Sequence, residues 1–284
     1  MKRLKKKMLL FVSLFLLSWV IFAQSCLTFR KSDKEQKSAF AKKNVILQTG
    51  TIQVEGKNIH YACTGPDTLP TLYFIHGSPG NWDAFSRYMQ DSLLLKKFRM
   101  VSVDRPGFGF SDFGQAEHLD VQAHLISPLF THLANHKPIF LAGHSMGGPM
   151  VIKLSADNPG LFSGIVVISG SIDPAEEDPE KWRFWLYKTP LNFFVPGAFK
   201  SSNEELWYLK KDLIPLSNDF AKIKCPVYFI HGAEDTWVPP ANVDYGRKKL
   251  TNSKKIEVTM IPKANHFIPW TKFSVIRDVL LKLY

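Results

Sequence analysis

Ser145 stands in the pentapeptide Gly143-His144-Ser145-Met146-Gly147, with glycine two residues before it and two after. The apolar run 138–142 ahead of it reads as a buried strand, and residues 149–156 behind it read as a helix. A serine at such a strand-to-helix turn is a G-x-S-x-G nucleophile elbow. The glycines follow from the tightness of the turn, which leaves no room for side chains beside a serine that is itself strained. The hydroxyl is pushed out above the sheet, with a helix N-terminus behind it that favours negative charge. The same pentapeptide also arises as a glycine-rich turn whose serine caps a helix, so the chemistry must be supported by partners elsewhere.

A serine hydroxyl is a poor nucleophile at neutral pH and needs a base within hydrogen-bond reach. His266 can be that base, and Asp235 can hold its imidazole in the right tautomer and stabilise it when charged. Glu234 and Asp173 are rival acids, because Asp235 also suits a turn cap ahead of Pro239 and Asp173 follows the preceding strand. His76 and His144 read as structural, one orienting the loop it opens and the other shaping the elbow. Asp104-Arg105 reads as a fixture of the loops beneath the site.

These residues need elements to bring them together. Buried or alternating apolar runs at 45–54, 57–64, 71–75, 99–103, 138–142, 164–169, 226–230 and 255–261 predict eight strands. Helical patterns follow at 81–95, 119–134 (with Pro128 a kink or break), 149–156, 240–250 and 271–283. Strands alternating with helices imply an α/β protein with a mostly parallel central sheet covered on both faces. In such sheets sites form beyond the carboxyl ends of the strands. His76 to Gly80, Ser145, Asp235 and His266 all stand directly after strands, so folding brings them to one edge. Residues 171–222, after the sixth strand, lose this regularity. They start acidic and continue rich in aromatics, which reads as an inserted lid of short helices.

The chain has 284 residues and a formal net charge of +11. The charge is not spread evenly. Residues 1–43 carry eleven Lys/Arg against two Asp/Glu, a net of +9, and the remainder carries only +2. A nearly neutral globular part excludes a nucleic-acid-binding reading. Lys2, Arg3, Lys5, Lys6 and Lys7 precede an uncharged apolar run of 16 residues, 8–23, which is short for a membrane span and suits a signal segment. Ala23, Ser25 and Cys26 follow, so residues 1–26 read as a signal peptide or membrane anchor, with lipidation at Cys26 as one outcome. The domain plan is this segment, a flexible polar tether over 27–43, and a domain over 44–284. The protein is expected to be exported, and either tethered to a membrane or free in the periplasm or medium. Cys63 and Cys225 read as buried free thiols, though export leaves a disulfide open.

Taken together, the chain resembles the α/β-hydrolase-fold serine hydrolases over roughly residues 45–284. The resemblance is carried by His76-Gly77-Ser78-Pro79-Gly80, Asp104-Arg105-Pro106-Gly107-Phe108-Gly109, the elbow, Asp235 followed by Val238-Pro239, and Asn265-His266. The order Ser145, Asp235, His266 is that family's order. The resemblance implies an oxyanion hole formed by the backbone N–H groups of Ser78 and Met146. Serine at the nucleophile position argues against the aspartate-dependent reactions of related epoxide hydrolases and dehalogenases. The implied activity is hydrolysis of an ester, thioester or amide of a small acyl substrate, most simply as a carboxylesterase or lipase-like enzyme, without cofactor or metal. An aminopeptidase-like amidase and a carbon–carbon bond hydrolase are alternatives on the same triad. A non-catalytic binding protein on this scaffold is the alternative from another class.

Overall fold

The computed structural model describes residues 2–25 and 27–284, without the side chains of residues 2, 24 and 25. Cys26, the expected lipidation point, lies outside the described residues. Eight strands form one sheet in the order β1-β2-β4-β3-β5-β6-β7-β8. They are β1 (Gln48–Val54), β2 (Lys57–Thr64), β3 (Thr71–Ile75), β4 (Arg99–Val103), β5 (Ile139–His144), β6 (Phe162–Ile168), β7 (Val227–Gly232) and β8 (Ile256–Ile261). β1 and β2 pair antiparallel, as do β2 and β4, and every other neighbouring pair is parallel. The first hairpin closes through Glu55 and Gly56, both at positive φ, the backbone that a two-residue turn between right-twisted strands demands.

The helices are α1 (Lys2–Ser25), α2 (Asp33–Ala41), α3 (Ser86–Met89), α4 (Ser92–Leu95), α5 (Leu119–Ile126), α6 (Pro128–His132), α7 (Gly147–Asp157), α8 (Trp182–Lys188), α9 (Ala198–Leu216), α10 (Ala241–Lys249), α11 (Ile268–Thr271) and α12 (Phe273–Leu280). The helix expected over 119–134 divides at Pro128, as the proline's missing N–H dictates. That expected over 81–95 is broken into a 3₁₀ turn and two short helices.

The sheet's period of two sorts side chains into two cores. In β3, Tyr73 and Ile75 join Leu141, Val151 and Leu213 in one layer. Leu72 and Phe74 join Phe85, Tyr88 and Ile276 in the other. All five β3 residues are buried, as the continuous apolar run required.

Two stretches differ in detail from the sequence reading. Within 27–43, read as a tether, lies α2. Ser32 caps it by accepting the Glu35 N–H, and Phe40 is fully buried in the second core beside Trp82. Within 171–222, the short helices include the 19-residue α9, whose Leu209, Leu213 and Leu216 pack into the first core. Cys63 and Cys225 are both free thiols. Among the described residues, one helix, Arg3–Ala23, is long and apolar enough to cross a membrane.

Burial of Phe40 makes the N-terminal stretch part of the folded unit. Phe40→Ala is expected to lower the free energy of unfolding by about 3–5 kcal/mol, read by urea denaturation. A tether would leave the midpoint where it is.

Candidate active site

Ser145 links β5 to α7 at φ +55°, a left-handed conformation that non-glycine residues rarely adopt. Its N–H donates to the Ile168 carbonyl at 3.0 Å, and its carbonyl accepts the Gly148 N–H at 2.8 Å. A Cβ on Gly143 would collide with the Gly147 carbonyl, and one on Gly147 with the Ile75 carbonyl. The glycines two before and two after the serine are therefore fixed by backbone meeting backbone.

Asp235 follows β7 and His266 follows β8. His266 Nδ1 and Asp235 Oδ2 are 2.8 Å apart. The other carboxylate oxygen, Oδ1, accepts the N–H groups of Trp237 at 3.0 Å and Val238 at 2.9 Å. Burial alone would raise the Asp235 pKa. The hydrogen bonds from His266 and Val238, with the nearby imidazoles, outweigh it and hold the pKa below the ordinary carboxylate value. Asp235 is thus the partner of His266. Of its rivals, Glu234 is exposed, and Asp173 Oδ1 accepts the N–H of Ala175.

Two further histidines frame this pair. His144 Nε2 donates to the His266 carbonyl at 3.1 Å. His231 Nε2 donates to the Val238 carbonyl at 2.9 Å. Burial first, then the neighbouring His266 charge, pushes the His144 pKa down to about 3. Burial likewise lowers His231, and burial with the Arg105 charge lowers His76. All three act as neutral hydrogen-bonding struts. The exposed Trp237 ring lies over His266 at 5.6 Å between centroids.

Ser145, His266, Ser78 and Met146 line one cavity of about 640 Å³, a size that suits a small organic ligand. Leu206, Leu209, Phe199 and Trp237 add apolar wall, and Glu176, Glu177, Asp178, Glu180 and Arg183 add charge. Burial raises the Glu177 pKa, against the hydrogen bond it accepts from Ser171.

Beneath the cavity lies a partnership that the sequence reading missed. Arg105 is fully buried and meets Glu205 of α9 with both ends of its guanidinium, Nη1 to Oε2 at 2.6 Å and Nη2 to Oε1 at 2.9 Å. Nε donates to the His76 carbonyl and Nη2 to the Gly77 carbonyl, each at 3.0 Å. Ser78 Oγ donates to Ser202 Oγ of the same helix at 2.8 Å. Asp104 serves the loops as expected, accepting from the Trp82 and Phe110 N–H groups and pairing with His60. The one sequence signal for Glu205 was an arginine at a buried strand end that had to find a carboxylate.

The α/β hydrolase fold family matches residues 70–193. A 2-hydroxy-6-oxononadienedioate/2-hydroxy-6-oxononatrienedioate hydrolase of Paraburkholderia phymatum is 25% identical, over 78% of this chain and 89% of that one. Among solved structures, a bacterial membrane phospholipase A superposes with a TM-score of 0.65 at 18% identity, over 100% of this chain and 98% of that one. A thermophilic esterase from Thermogutta terrifontis gives 0.65 at 18% identity, over 82% and 96%. The chain has the α/β-hydrolase fold. It is a hydrolase of that fold.

Two measurements check this account. Glu205→Ala leaves the Arg105 guanidinium buried without its carboxylate, and is expected to cost about 3–5 kcal/mol of stability, read by chemical denaturation. The second concerns pH. His76, His144 and His231 have folded-state pKa values below the unfolded value, so their contribution is complete above about pH 6.5 and is lost as pH falls through the folded values. Asp235, also depressed, keeps its contribution above the ordinary carboxylate pKa and loses it only in stronger acid. Unfolding free energy should therefore fall steadily from about pH 6.5 toward pH 3, and His144→Gln should flatten that slope.

Proposed function

We propose that the protein is a membrane-anchored serine hydrolase that cleaves carboxylic esters through an acyl-enzyme on Ser145. The observation that carries this reading is the buried 2.8 Å Asp235–His266 pair, on the cavity that Ser145 also lines. With Nδ1 engaged by Asp235, His266 has Nε2 to take the Ser145 proton as the oxygen attacks the substrate carbonyl. The N–H groups of Ser78 and Met146 receive the negative charge that develops on the carbonyl oxygen. His266 then protonates the leaving alcohol. Water, deprotonated by His266, attacks the acyl-enzyme and frees the acid and Ser145.

Retention of α1 as an anchor is supported by its contacts with the domain. The Gly197 N–H donates to the Ala23 carbonyl at 2.7 Å, and Trp19 Nε1 donates to the Phe194 carbonyl at 3.1 Å. Five basic residues at 2–7 would keep the N-terminus on the cytoplasmic side and export the domain.

The Paraburkholderia relative favours a second reading, hydrolysis of a carbon–carbon bond with the same three residues. Its named substrates are dicarboxylates. The cavity here sets Glu176, Glu177, Asp178 and Glu180 against the single Arg183, an unfavourable setting for a dianion. Ester hydrolysis is therefore the first choice.

Ser145→Ala should abolish labelling by a fluorophosphonate probe and lower ester turnover by about 10⁴-fold or more. Asp235→Asn should retain the fold and lower kcat by about 10⁴-fold. p-Nitrophenyl esters of graded chain length, aminoacyl amides and vinylogous diketones form the substrate panel. Ester turnover that survives in Ser145→Ala refutes the mechanism, and turnover of the diketones alone moves the assignment to the second reading.

A further inference from the structure

The segment between β6 and β7 is where the N-terminal helix meets the domain. Trp19 and Ala23 of α1 bond to Phe194 and Gly197, and the Ala198 N–H donates to the Leu27 carbonyl at 3.0 Å. Ala23 is fully buried. Just beyond, Phe29 packs edge-on against Phe199, whose side chain also lines the cavity that holds Ser145. A short path of contacts thus runs from the end of α1 to the cavity.

Around this point large apolar side chains face outward. Trp182 is 49% exposed, Trp185 61%, Leu191 48% and Phe193 64%. Leu16, Leu17, Trp19 and Phe22 continue exposed apolar surface onto α1. Apolar groups in such number mark a docking surface. Basic residues are interleaved with them at Lys181, Lys188 and Lys200, while Arg183 is engaged by Glu180. Aromatic rings mixed with lysine and arginine are the chemistry of a bilayer interface, where rings sit at headgroup depth and cations meet lipid phosphates.

We propose that this surface, formed by α8, the turn Pro190–Phe194 and the start of α9, rests on the membrane that α1 crosses, and that it delivers acyl lipids from that bilayer to Ser145. The proposal deepens the ester-hydrolase reading and rests on retention of α1. Continuity with α1 makes a bilayer the occupant. The candidate span Arg3–Ala23 extends about 31 Å as a helix, of which the uncharged run 8–23 supplies about 24 Å, leaving Arg3, Lys5, Lys6 and Lys7 to reach the headgroups on the far side. The end of the span is bonded directly to the segment that bears the exposed rings. A domain anchored there cannot hold those rings far from the headgroups.

The test uses the full chain reconstituted in phosphatidylcholine vesicles that contain a brominated phosphatidylcholine, with tryptophan fluorescence as the readout. Quenching should diminish in Trp19→Phe and, separately, in Trp185→Phe. Quenching that depends on Trp19 alone overturns the docking surface and leaves the anchor standing. Quenching that depends on neither removes the anchor and this proposal together, while the serine mechanism remains open to its own test. In the same vesicles, Trp185→Ser combined with Phe193→Ser should cut turnover of an embedded fluorogenic long-chain acyl lipid about tenfold or more, with p-nitrophenyl butyrate turnover unchanged. Equal loss on both substrates, or equal retention, overturns the proposal, and the second outcome assigns the exposed rings to a protein partner or a second copy.

Discussion

A guanidinium with no exposed surface must be neutralised inside the fold, and the way Arg105 is neutralised organises this molecule. Its carboxylate comes from Glu205, 100 residues later on α9. Its remaining donors close on the carbonyls of His76 and Gly77 and on the Gln122 side chain. One side chain thereby fixes the loop after β3, the helix after β4 and the segment between β6 and β7. A buried ion pair contributes little net stability, because desolvation offsets attraction. What it enforces is arrangement, since removal of either partner strands a charge. The loop that carries Ser78 is therefore held by atoms that cannot drift without a large penalty.

The elbow applies the same logic to the backbone. Ser145 at φ +55° stores strain of about 1–3 kcal/mol. The surrounding sheet supplies the compensation: Ile168 accepts its N–H, Gly148 caps its carbonyl, and α7 packs its apolar face into the first core. Strand ends place Asp235 and His266 nearby, and hydrogen bonds to buried neutral His144 and His231 keep their loops still. A charged imidazole at either strut would put an unpaired positive charge inside the fold beside His266. Burial prevents this by favouring their neutral form.

Most of this was legible in the sequence, for a physical reason. The central strands announced themselves because both sheet faces are covered there, which forces continuous apolar runs such as Thr71–Ile75, while the half-exposed edge strand β1 showed only weak alternation. Their ends then marked the polar motifs, and Ser145, His266, Ser78 and Met146 do lie on one cavity, with Asp235 bonded to His266. The start of α9 was not legible. Ser201, Ser202, Glu204 and Glu205 are polar by type, yet all are buried, because their partners lie in loops far away in the chain. α2 was missed for a related reason. Its lysines suit solvent, and only Phe40 and Gln36 turn inward.

Most of the excess positive charge lies within the first 43 residues, and part of it lies in the first turns of α1, ahead of the apolar run 8–23. The rest falls between α1 and β1, where Lys31 pairs with Asp83 at 2.9 Å. That second group follows Ala23 and Leu27, whose carbonyls accept the N–H groups of Gly197 and Ala198 at the start of α9. The same α9 carries Glu205, which holds Arg105 and through it the Ser78 loop. A single helix thus touches the end of α1 with its first turn and the candidate oxyanion loop with its second. Movement of α1 against the domain would be felt at both places at once, which makes the N-terminal helix a structural partner of the site.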